Sequence, residues 1–382
     1  MSVDLSTTFT GIRFQNPFLL ASAPPTESES NILRAFDSGW GGVVTKTIGM
    51  HPVINVAGPK TKFSRYDPAS GLFSMRTKST IVHSSWNWEL ISDKPLDDWL
   101  PRIRRIKAAH PDRALIASIM AGSGSDKELE HWRTMATACQ EAGADGLELN
   151  LSCPHMDRPD MGSNIGRDEA LCSFVTQVVK EVATVPVWAK LTPATADIVV
   201  EAGAVFRGGA DAVTSSNTFP SLPIIDPNTL EFEIQVDGFV SSGGLGGPAI
   251  LPLSMANMSR MTRAFPDRSF SAIGGVSDFG QALNYLLLGA GTVQVCTAAM
   301  LDKAVGPNVI RKLLEGYTEF MERHADRGWK SLDDFRGLLR NRVVAQSQIR
   351  RPDDSDYQGG YDEAAEGYAA PEITERAGAR ED

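Results

Sequence analysis

The chain has 382 residues, of which 42% are hydrophobic and 22% charged, with 34 Gly, 22 Pro and four Cys. These proportions are those of a folded enzyme and exclude a largely disordered chain, a collagen and a disulfide-built miniprotein. The net charge is −10, and residues 351–382 supply −7 of it through ten acidic and three basic residues. Because no basic stripe could displace counterions from phosphates, we predict no nucleic-acid binding.

The cysteines are scattered along the chain, at Cys139, Cys153, Cys172 and Cys296. They form no Cys-x-x-Cys pair and have no His at metal-ligand spacing, so we predict neither a zinc nor an iron–sulfur site. The first ten residues lack the basic start and apolar core of a signal peptide, and no apolar run approaches the length of a membrane span. We therefore expect a soluble, cytoplasmic protein without a membrane segment.

Eight short apolar segments alternate with segments of helical period. One such helical segment carries Leu129, Trp132, Ala136 and Cys139, whose three-and-four spacing puts an apolar stripe against a sheet. We predict eight parallel strands covered by helices, at residues 18–21, 42–46, 115–119, 146–151, 187–191, 212–216, 269–272 and 292–296.

Four helix-to-strand junctions repeat a similar pattern. A glycine that can end a helix in the left-handed conformation precedes an apolar strand at Gly39, Gly143, Gly209 and Gly289. Repetition of this junction favours a closed barrel over an open doubly wound sheet. We predict an α/β fold, a (β/α)8 TIM barrel with long insertions at its C-terminal face, where the strand ends would carry the chemistry.

Two connections, at 47–113 and 219–248, are too long for simple crossovers and are therefore expected to be functional loops. A C-terminal helix is predicted to end near Gln348. The acidic residues that follow lack periodicity, which is typical of a disordered tail or a docking arm. We predict a barrel domain over 1–349 and an acidic tail over 350–382.

The predicted strand ends carry polar residues that would meet at one mouth of the barrel, and two glycine pairs lie near the ends of late elements. In barrels, backbone N–H groups after strands seven and eight commonly bind phosphate. Cys153 lies in a loop where a thiol could act as nucleophile or general acid/base, and the neighbouring His155 is a weaker candidate. The mouth would be built from Ser22, Lys46, Asn150, Cys153, Lys190, Asn217, Gly246-Gly247, Gly274-Gly275 and Cys296-Thr297.

Six motifs in this order resemble the class 1 dihydroorotate dehydrogenase superfamily, and most of all the pyrimidine-reducing barrel of dihydropyrimidine dehydrogenase. The resemblance covers roughly residues 5–345. The motifs are Trp40-Gly-Gly-Val-Val-Thr-Lys-Thr-Ile-Gly49, Asn150-Leu-Ser-Cys-Pro-His155, Lys190-Leu-Thr-Pro193, Ser216-Asn-Thr218, Gly274-Gly275 and Gln294-Val-Cys296.

This resemblance implies an FMN-dependent oxidoreductase that acts on a ring C–C bond, interconverting uracil or thymine and their 5,6-dihydro forms. Cys153 would exchange the proton. The residues implied for FMN are Ala21, Ser22, Lys46, Asn150, Lys190, Gly247, Gly275, Cys296 and Thr297, and those implied for the pyrimidine-like substrate are Asn87, Glu89, Asn150, Asn217 and Thr218. A lysine beside the flavin N1/C2 carbonyl edge would favour the anionic reduced flavin.

The sequence leaves alternatives open for the substrate and for the reaction. The substrate could be dihydroorotate or another cyclic compound, Lys190 could instead serve a Schiff-base lyase, and the acidic tail could mark a non-catalytic docking subunit. Bacterial enzymes of the resembled type commonly carry a domain with cysteine-rich cluster motifs, yet no cysteine follows Ile349 here. We therefore expect a separate redox partner protein, within a homo-oligomer or a hetero-oligomer.

Overall fold

A computed structural model describes residues 3–154 and 158–349. Residues up to Asn341 form one compact unit, and a second unit begins at Arg342. The strands are β1 Thr7–Phe9, β2 Ile12–Phe14, β3 Phe18–Leu20, β4 Gly42–Val44, β5 Thr61–Asp67, β6 Leu72–Ser74, β7 Val82–Asn87, β8 Ala114–Ile119, β9 Gly146–Leu151, β10 Val187–Leu191, β11 Ala212–Ser215, β12 Phe219–Ser221, β13 Ile225–Asp226, β14 Glu231–Phe232, β15 Gly243–Gly246, β16 Ser269–Ile273 and β17 Thr292–Val295. The helices are α1 Glu29–Asp37, α2 Leu96–Ala109, α3 Asp126–Glu141, α4 Glu169–Lys180, α5 Ile198–Arg207, α6 Leu251–Ala264, α7 Phe279–Leu288, α8 Thr297–Leu301 and α9 Pro307–Arg323.

Eight parallel strands close into a barrel in the order β3-β4-β8-β9-β10-β11-β16-β17, in which β17 also pairs with β3. The predicted (β/α)8 barrel is therefore confirmed, and each of the eight predicted strands is present with ends that differ by at most two residues. The four junction glycines all have a positive φ. At Gly289, the left-handed residue ends α7 and lets the chain turn directly into β17.

The two ends of the barrel differ in chemistry. The β1–β2 hairpin closes the amino end with Phe9 and Phe14, which pack against Trp188, and the Phe9 and Trp188 ring centroids lie 5.1 Å apart. Outside the barrel, α3 buries Trp132, Ala136 and Cys139 as its spacing predicts. Because aromatic packing seals the amino end, the carboxyl end of the strands is the end that the described residues leave open to a ligand.

The two long connections were expected to be loops, but they combine into a five-stranded antiparallel sheet in the order β12-β15-β7-β5-β6. Strand β7 alternates sides, so that Trp86 and Trp88 are buried with Ile234 while Ser85 and Asn87 face the barrel mouth. A sheet satisfies the backbone hydrogen bonds that an irregular buried loop would leave unpaired, which explains why this segment forms strands.

The predicted C-terminal helix is also corrected. Helix α9 ends at Arg323, and short 3-10 turns follow as far as Gln346–Gln348. Gly328 and Gly337 take positive φ values of 70° and 76°, which cannot continue a right-handed helix. Residues 350–382 lie outside the described residues, so the tail and its boundary at 349 stay predictions. Within the described part of the chain, no helix has both the length and the apolar character to cross a membrane.

Candidate active site

A cavity of about 450 Å³ opens at the carboxyl ends of the barrel strands, beneath the inserted sheet. All fourteen residues predicted from the sequence line it, namely Ala21, Ser22, Lys46, Asn87, Glu89, Asn150, Cys153, Lys190, Asn217, Thr218, Gly247, Gly275, Cys296 and Thr297. Its volume falls in the range of small-molecule and cofactor sites, about 300–1,000 Å³. The fold therefore gathers these residues at one place from widely separated parts of the sequence.

One wall of the cavity carries an ion pair that the sequence did not predict. Lys46 follows β4, and its Nζ lies 2.7 Å from Glu89 Oε2, just after β7. Thr61 on the neighbouring β5 donates its hydroxyl to Glu89 Oε1 at 2.9 Å. Both charged side chains are largely buried, with 10% and 13% exposed. The charge of Lys46 is thus balanced within the protein, and Glu89 is held in one orientation.

The second cavity lysine is balanced less closely. Lys190 on β10 is 4% exposed, and its Nζ lies 4.0 Å from Glu148 Oε1, beyond hydrogen-bond distance. The other Glu148 oxygen, Oε2, accepts hydrogen bonds from Thr214 Oγ1 and Gln294 Nε2, at 2.8 and 2.9 Å. These residues form a polar layer across the barrel interior, and Lys190 and Gln294 reach the cavity from it.

Two asparagines on neighbouring parts of the mouth are linked through Ser152. Asn150 Oδ1 accepts from the Ser152 hydroxyl at 2.9 Å, and Asn217 Nδ2 donates to the same Ser152 oxygen at 2.9 Å. Asn150 also donates to Thr47 Oγ1, and the Thr218 N–H donates to Asn217 Oδ1. This network fixes both amides. Ser152 takes both Asn217 Nδ2 hydrogens and occupies Asn150 Oδ1, so the groups left for a ligand are one Asn150 N–H and the Asn217 Oδ1.

Cys153 lies immediately after this network, where the chain leaves β9. It is buried, lines the cavity, and its carbonyl accepts a hydrogen bond from the Ser163 N–H at 3.0 Å. The other candidate base, His155, lies outside the described residues. By contrast, burial raises the pKa of the Cys139 and Cys172 thiols to about 12, and neither lines the cavity. Of the thiols of Cys139, Cys153 and Cys172, that of Cys153 is therefore the best placed for proton transfer.

Cys296 also borders the cavity, at the end of β17. Desolvation raises the pKa of its thiol to about 11, with Lys190 and Lys46 lowering that pKa and Glu89 raising it. A thiol with this pKa is mostly protonated near neutrality, so Cys296 is a poor proton acceptor. Its position therefore suits contact with a ligand better than a catalytic role.

Glycines allow three loops to meet closely at the far end of the cavity. Gly275 has a φ of +75°, and a Cβ there would lie 2.7 Å from the Leu251 Cβ. The preceding Gly274 carbonyl accepts a hydrogen bond from the Tyr285 hydroxyl at 2.7 Å, which holds the loop in place. The Ser85 and Thr297 hydroxyls lie 2.9 Å apart across the same region. Backbone N–H groups and hydroxyls are the groups that bind phosphate in barrels of this kind.

Several residues of the site were not predicted, and their signals in the sequence differ. Ser85 lies two positions before Asn87, and Glu148 two positions before Asn150, so period-two alternation in a strand could have indicated both. Thr61 becomes part of the site only because β5 pairs with β7, which places it opposite Asn87. The residues missed are Thr47, Thr61, Ser85, Glu148 and Gln294.

Comparison with known proteins agrees with this geometry. The family model "Dihydroorotate dehydrogenase" matches residues 92–321. The chain is 36% identical over 342 residues to the chloroplastic dihydropyrimidine dehydrogenase (NADP(+)) of Arabidopsis thaliana, covering 87% of this chain and 76% of that protein. The chain belongs to the dihydroorotate dehydrogenase family.

Two further relatives cover most of the chain. The NAD-dependent dihydropyrimidine dehydrogenase subunit PreA of Escherichia coli (strain K12) is 36% identical over 354 residues, 92% of this chain and 80% of that subunit. The catalytic subunit of dihydroorotate dehydrogenase B (NAD(+)) from Methanothermobacter thermautotrophicus is 32% identical over 334 residues, 87% of this chain and 98% of that subunit. Our protein is accordingly an oxidoreductase that acts on CH–CH bonds, which disfavours the lyase and the docking-subunit alternatives.

Proposed function

We propose that this protein is an FMN-dependent oxidoreductase that interconverts a neutral pyrimidine ring, such as uracil or thymine, and its 5,6-dihydro form. The observation that carries the proposal is one cavity in which two lysines, a preorganised pair of asparagines, an acidic residue and a buried thiol come together. Together these side chains could bind a flavin and an imide ring next to each other.

The residues present fit FMN. Lys190 brings a largely buried positive charge to the cavity, and Glu148, the carboxylate with which it pairs, is beyond hydrogen-bond distance, so an electronegative ligand edge would complete its environment. At the other end, Gly247, Gly275 and Thr297 offer close backbone approach and a hydroxyl for the phosphate. When bound, FMN would supply hydride exchange with a ring carbon.

The substrate side follows from the amides and from Glu89. An imide ring alternates N–H donors with carbonyl acceptors, which the amides of Asn87, Asn150 and Asn217 can match, and Glu89 can accept from a ring N–H. Cys153 would exchange the proton at the ring carbon next to the one that exchanges hydride. A thiol can both donate and accept a proton, as transfer in either direction requires.

The charge balance favours a neutral substrate over dihydroorotate. A dihydroorotate carboxylate placed on the wall that carries Lys46 would find that lysine already paired with Glu89 at 2.7 Å. An added carboxylate on this wall would approach Glu89, and like charges at short range are unfavourable. We nevertheless keep dihydroorotate as the second candidate, because one of the similar relatives is a dihydroorotate dehydrogenase subunit.

Flavin identification and anaerobic reduction test the proposal. The ligand is released by heat and identified by chromatography, and the holoprotein is then mixed without oxygen with dihydrouracil, dihydrothymine or dihydroorotate while the flavin absorbance is followed. We expect FMN, bleached by a dihydropyrimidine. Finding FAD, or no flavin after reconstitution with FMN, would contradict the assignment of FMN as the cofactor. Bleaching by dihydroorotate but by neither dihydropyrimidine would favour dihydroorotate as the substrate.

Two related statements remain proposals. The relatives named as subunits support a separate protein as the electron partner of this chain. A cytoplasmic location, expected from the sequence, also stays a prediction.

A further inference from the structure

The carboxylate of Glu148 is buried close to Lys190, one of the lysines of the cavity. Glu148 on β9 is fully buried, and its Oε2 accepts two hydrogen bonds from the polar layer, whereas its Oε1 has no hydrogen-bond donor among the described residues. The ion pair that Oε1 does form is with Lys190, at 4.0 Å. The unsatisfied oxygen is thus the one on the side of Lys190.

Such an arrangement costs stability, because withdrawing a carboxylate from water is unfavourable unless its oxygens are fully hydrogen-bonded. An apolar side chain of similar volume would fill the same space without this cost. A function in the cavity above is therefore a better explanation for Glu148 than packing.

A comparison of Lys46 and Lys190, two of the three lysines that line the cavity, indicates what that function is. Lys46 is neutralised by a direct contact with Glu89 at 2.7 Å, whereas Lys190 is separated from Glu148 and keeps part of its charge for a ligand. Since Glu148 is closed off from the cavity by its own burial, its charge reaches a ligand through its effect on Lys190.

We propose that Glu148 is a positioning residue that acts through Lys190. Its negative charge offsets part of the Lys190 charge and so limits how strongly the site stabilises negative charge on a bound flavin ring. This inference rests on the proposed function, since it requires FMN beside Lys190. The consequence is that Glu148 makes the bound cofactor a stronger reductant and favours reduction of the pyrimidine ring.

Sulfite binding tests this electrostatic role without substrate turnover. Sulfite adds to oxidised flavins and leaves negative charge on the ring, so its dissociation constant reports the charge around the cofactor. Glu148→Gln keeps the volume and removes the charge. We expect about tenfold tighter sulfite binding, at the lower end of the effect of one neighbouring charge on an ionic equilibrium. The two-electron midpoint potential should rise by about 30 mV, the equivalent of a tenfold change.

A matched control is available in α5. Glu201 is also a buried carboxylate with an unpartnered oxygen, but within the described part of the chain it forms no ion pair with Lys190 or Lys46, so Glu201→Gln should leave sulfite binding unchanged. Lys190→Gln should weaken sulfite binding. In the double variant, Glu148→Gln should add little to Lys190→Gln, because the residue through which it acts is gone.

The controls separate the possible failures. Glu148→Gln protein that binds FMN fully but has wild-type sulfite affinity and potential would overturn the inference, as would equal effects of Glu148→Gln with and without Lys190. If Glu148→Gln does not fold, Glu148→Met replaces the charge by an apolar side chain and is subject to the same criteria. Wild-type protein that binds no FMN would overturn the proposed function instead, and flavin content is therefore measured first.

Discussion

At the scale of single residues, the site depends on side chains whose environments give them different tasks. Lys46 and Glu89 neutralise each other, Lys190 keeps a partly balanced charge, and Cys153 provides a thiol at the cavity edge. None of these properties belongs to the residue type alone. Each results from the distance to a partner and from withdrawal from water.

Cys153→Ala tests the proton-transfer role. We expect the variant to keep its FMN and to lose turnover by roughly 10²-fold or more, the usual contribution of a positioned acid or base. Turnover is measured at saturating substrate, with flavin absorbance as the check on cofactor content. Cys172→Ala is the matched control, because that thiol is buried in α4 outside the cavity. Near-normal turnover of Cys153→Ala would transfer the role to His155 or to water.

Glu89→Gln tests the substrate side of the same cavity. The change removes the carboxylate that accepts from Thr61 and pairs with Lys46. Hydrogen bonds to charged groups contribute about 1.5–3 kcal/mol, so we expect kcat/KM to fall by at least tenfold. Steady-state kinetics give this value, and FMN content should change little. An unchanged kcat/KM per bound FMN together with a lower FMN content would place Glu89 with the cofactor rather than the substrate.

At the scale of elements, the inserted sheet and the glycine loops turn an open barrel mouth into an enclosed cavity. Strand β7 contributes its polar side to the cavity while its tryptophans pack on the other side. Gly247 lets the loop after β15 approach Ser84 and Ser85 of β7, and Gly275 lets the loop after β16 approach Leu251. The site is therefore built by the inserted sheet together with the carboxyl ends of the barrel strands.

Gly275→Ala tests the requirement for this close approach. Both the positive φ and the 2.7 Å approach to Leu251 Cβ disfavour a side chain, so the loop would have to move. Gly71→Ala is the control, since Gly71 has a φ of +70° but no atom within 4 Å of the position that a Cβ would take. Each variant should lose about 1–2 kcal/mol of stability from the left-handed conformation. Only Gly275→Ala should also lower the affinity for FMN, which is measured by fluorescence titration of the apoprotein. Equal FMN affinities of the two variants would contradict a role of Gly275 in the cofactor site.

At the scale of the whole molecule, the barrel forms one compact unit whose amino end is sealed by aromatic residues and whose carboxyl end is open. We expect electrons to enter at that open end, where the cavity lies. The sequence has no glycine fingerprint of a nicotinamide-binding fold, and its four cysteines form no cluster motif. We therefore expect the reductant to be another protein.

Anaerobic mixing with NADH or NADPH tests this expectation. The flavin of the purified protein should bleach slowly or not at all with either nucleotide, since the partner protein would be missing. Photoreduction of the same sample is the control that its flavin can be reduced. Rapid bleaching by a nicotinamide alone would refute the need for a separate partner.

Removal of residues 351–382 tests the predicted domain boundary. A segment with a net charge of −7 and little apolar content cannot offset its ordering entropy by burial, so the barrel should fold without it. Flavin content and melting temperature should equal those of the full chain. A melting temperature lower by several degrees would show that the segment contributes to the folded protein or to its assembly.

Local patterns in the sequence were sufficient to predict the barrel. Strands such as Gly146–Leu151 are short apolar runs, helices such as α3 carry one apolar stripe, and glycines end several helices, so each signal lies within a few residues. The ordered motifs, through the resemblance they carry, also indicated fourteen of the residues that line the cavity. The strands, helices and turns could be predicted because neighbouring residues encode them, and the site residues could be predicted through the resemblance.

Contacts between distant residues were decided only by the tertiary structure. The Lys46–Glu89 pair joins positions 43 residues apart, and Thr61 enters the site through the register of β5 with β7. Glu148 meets Gln294 across 146 residues of sequence because barrel closure brings β9 and β17 to face each other. Which charges balance one another depends on distances of a few ångströms, and such distances exist only after the chain has folded.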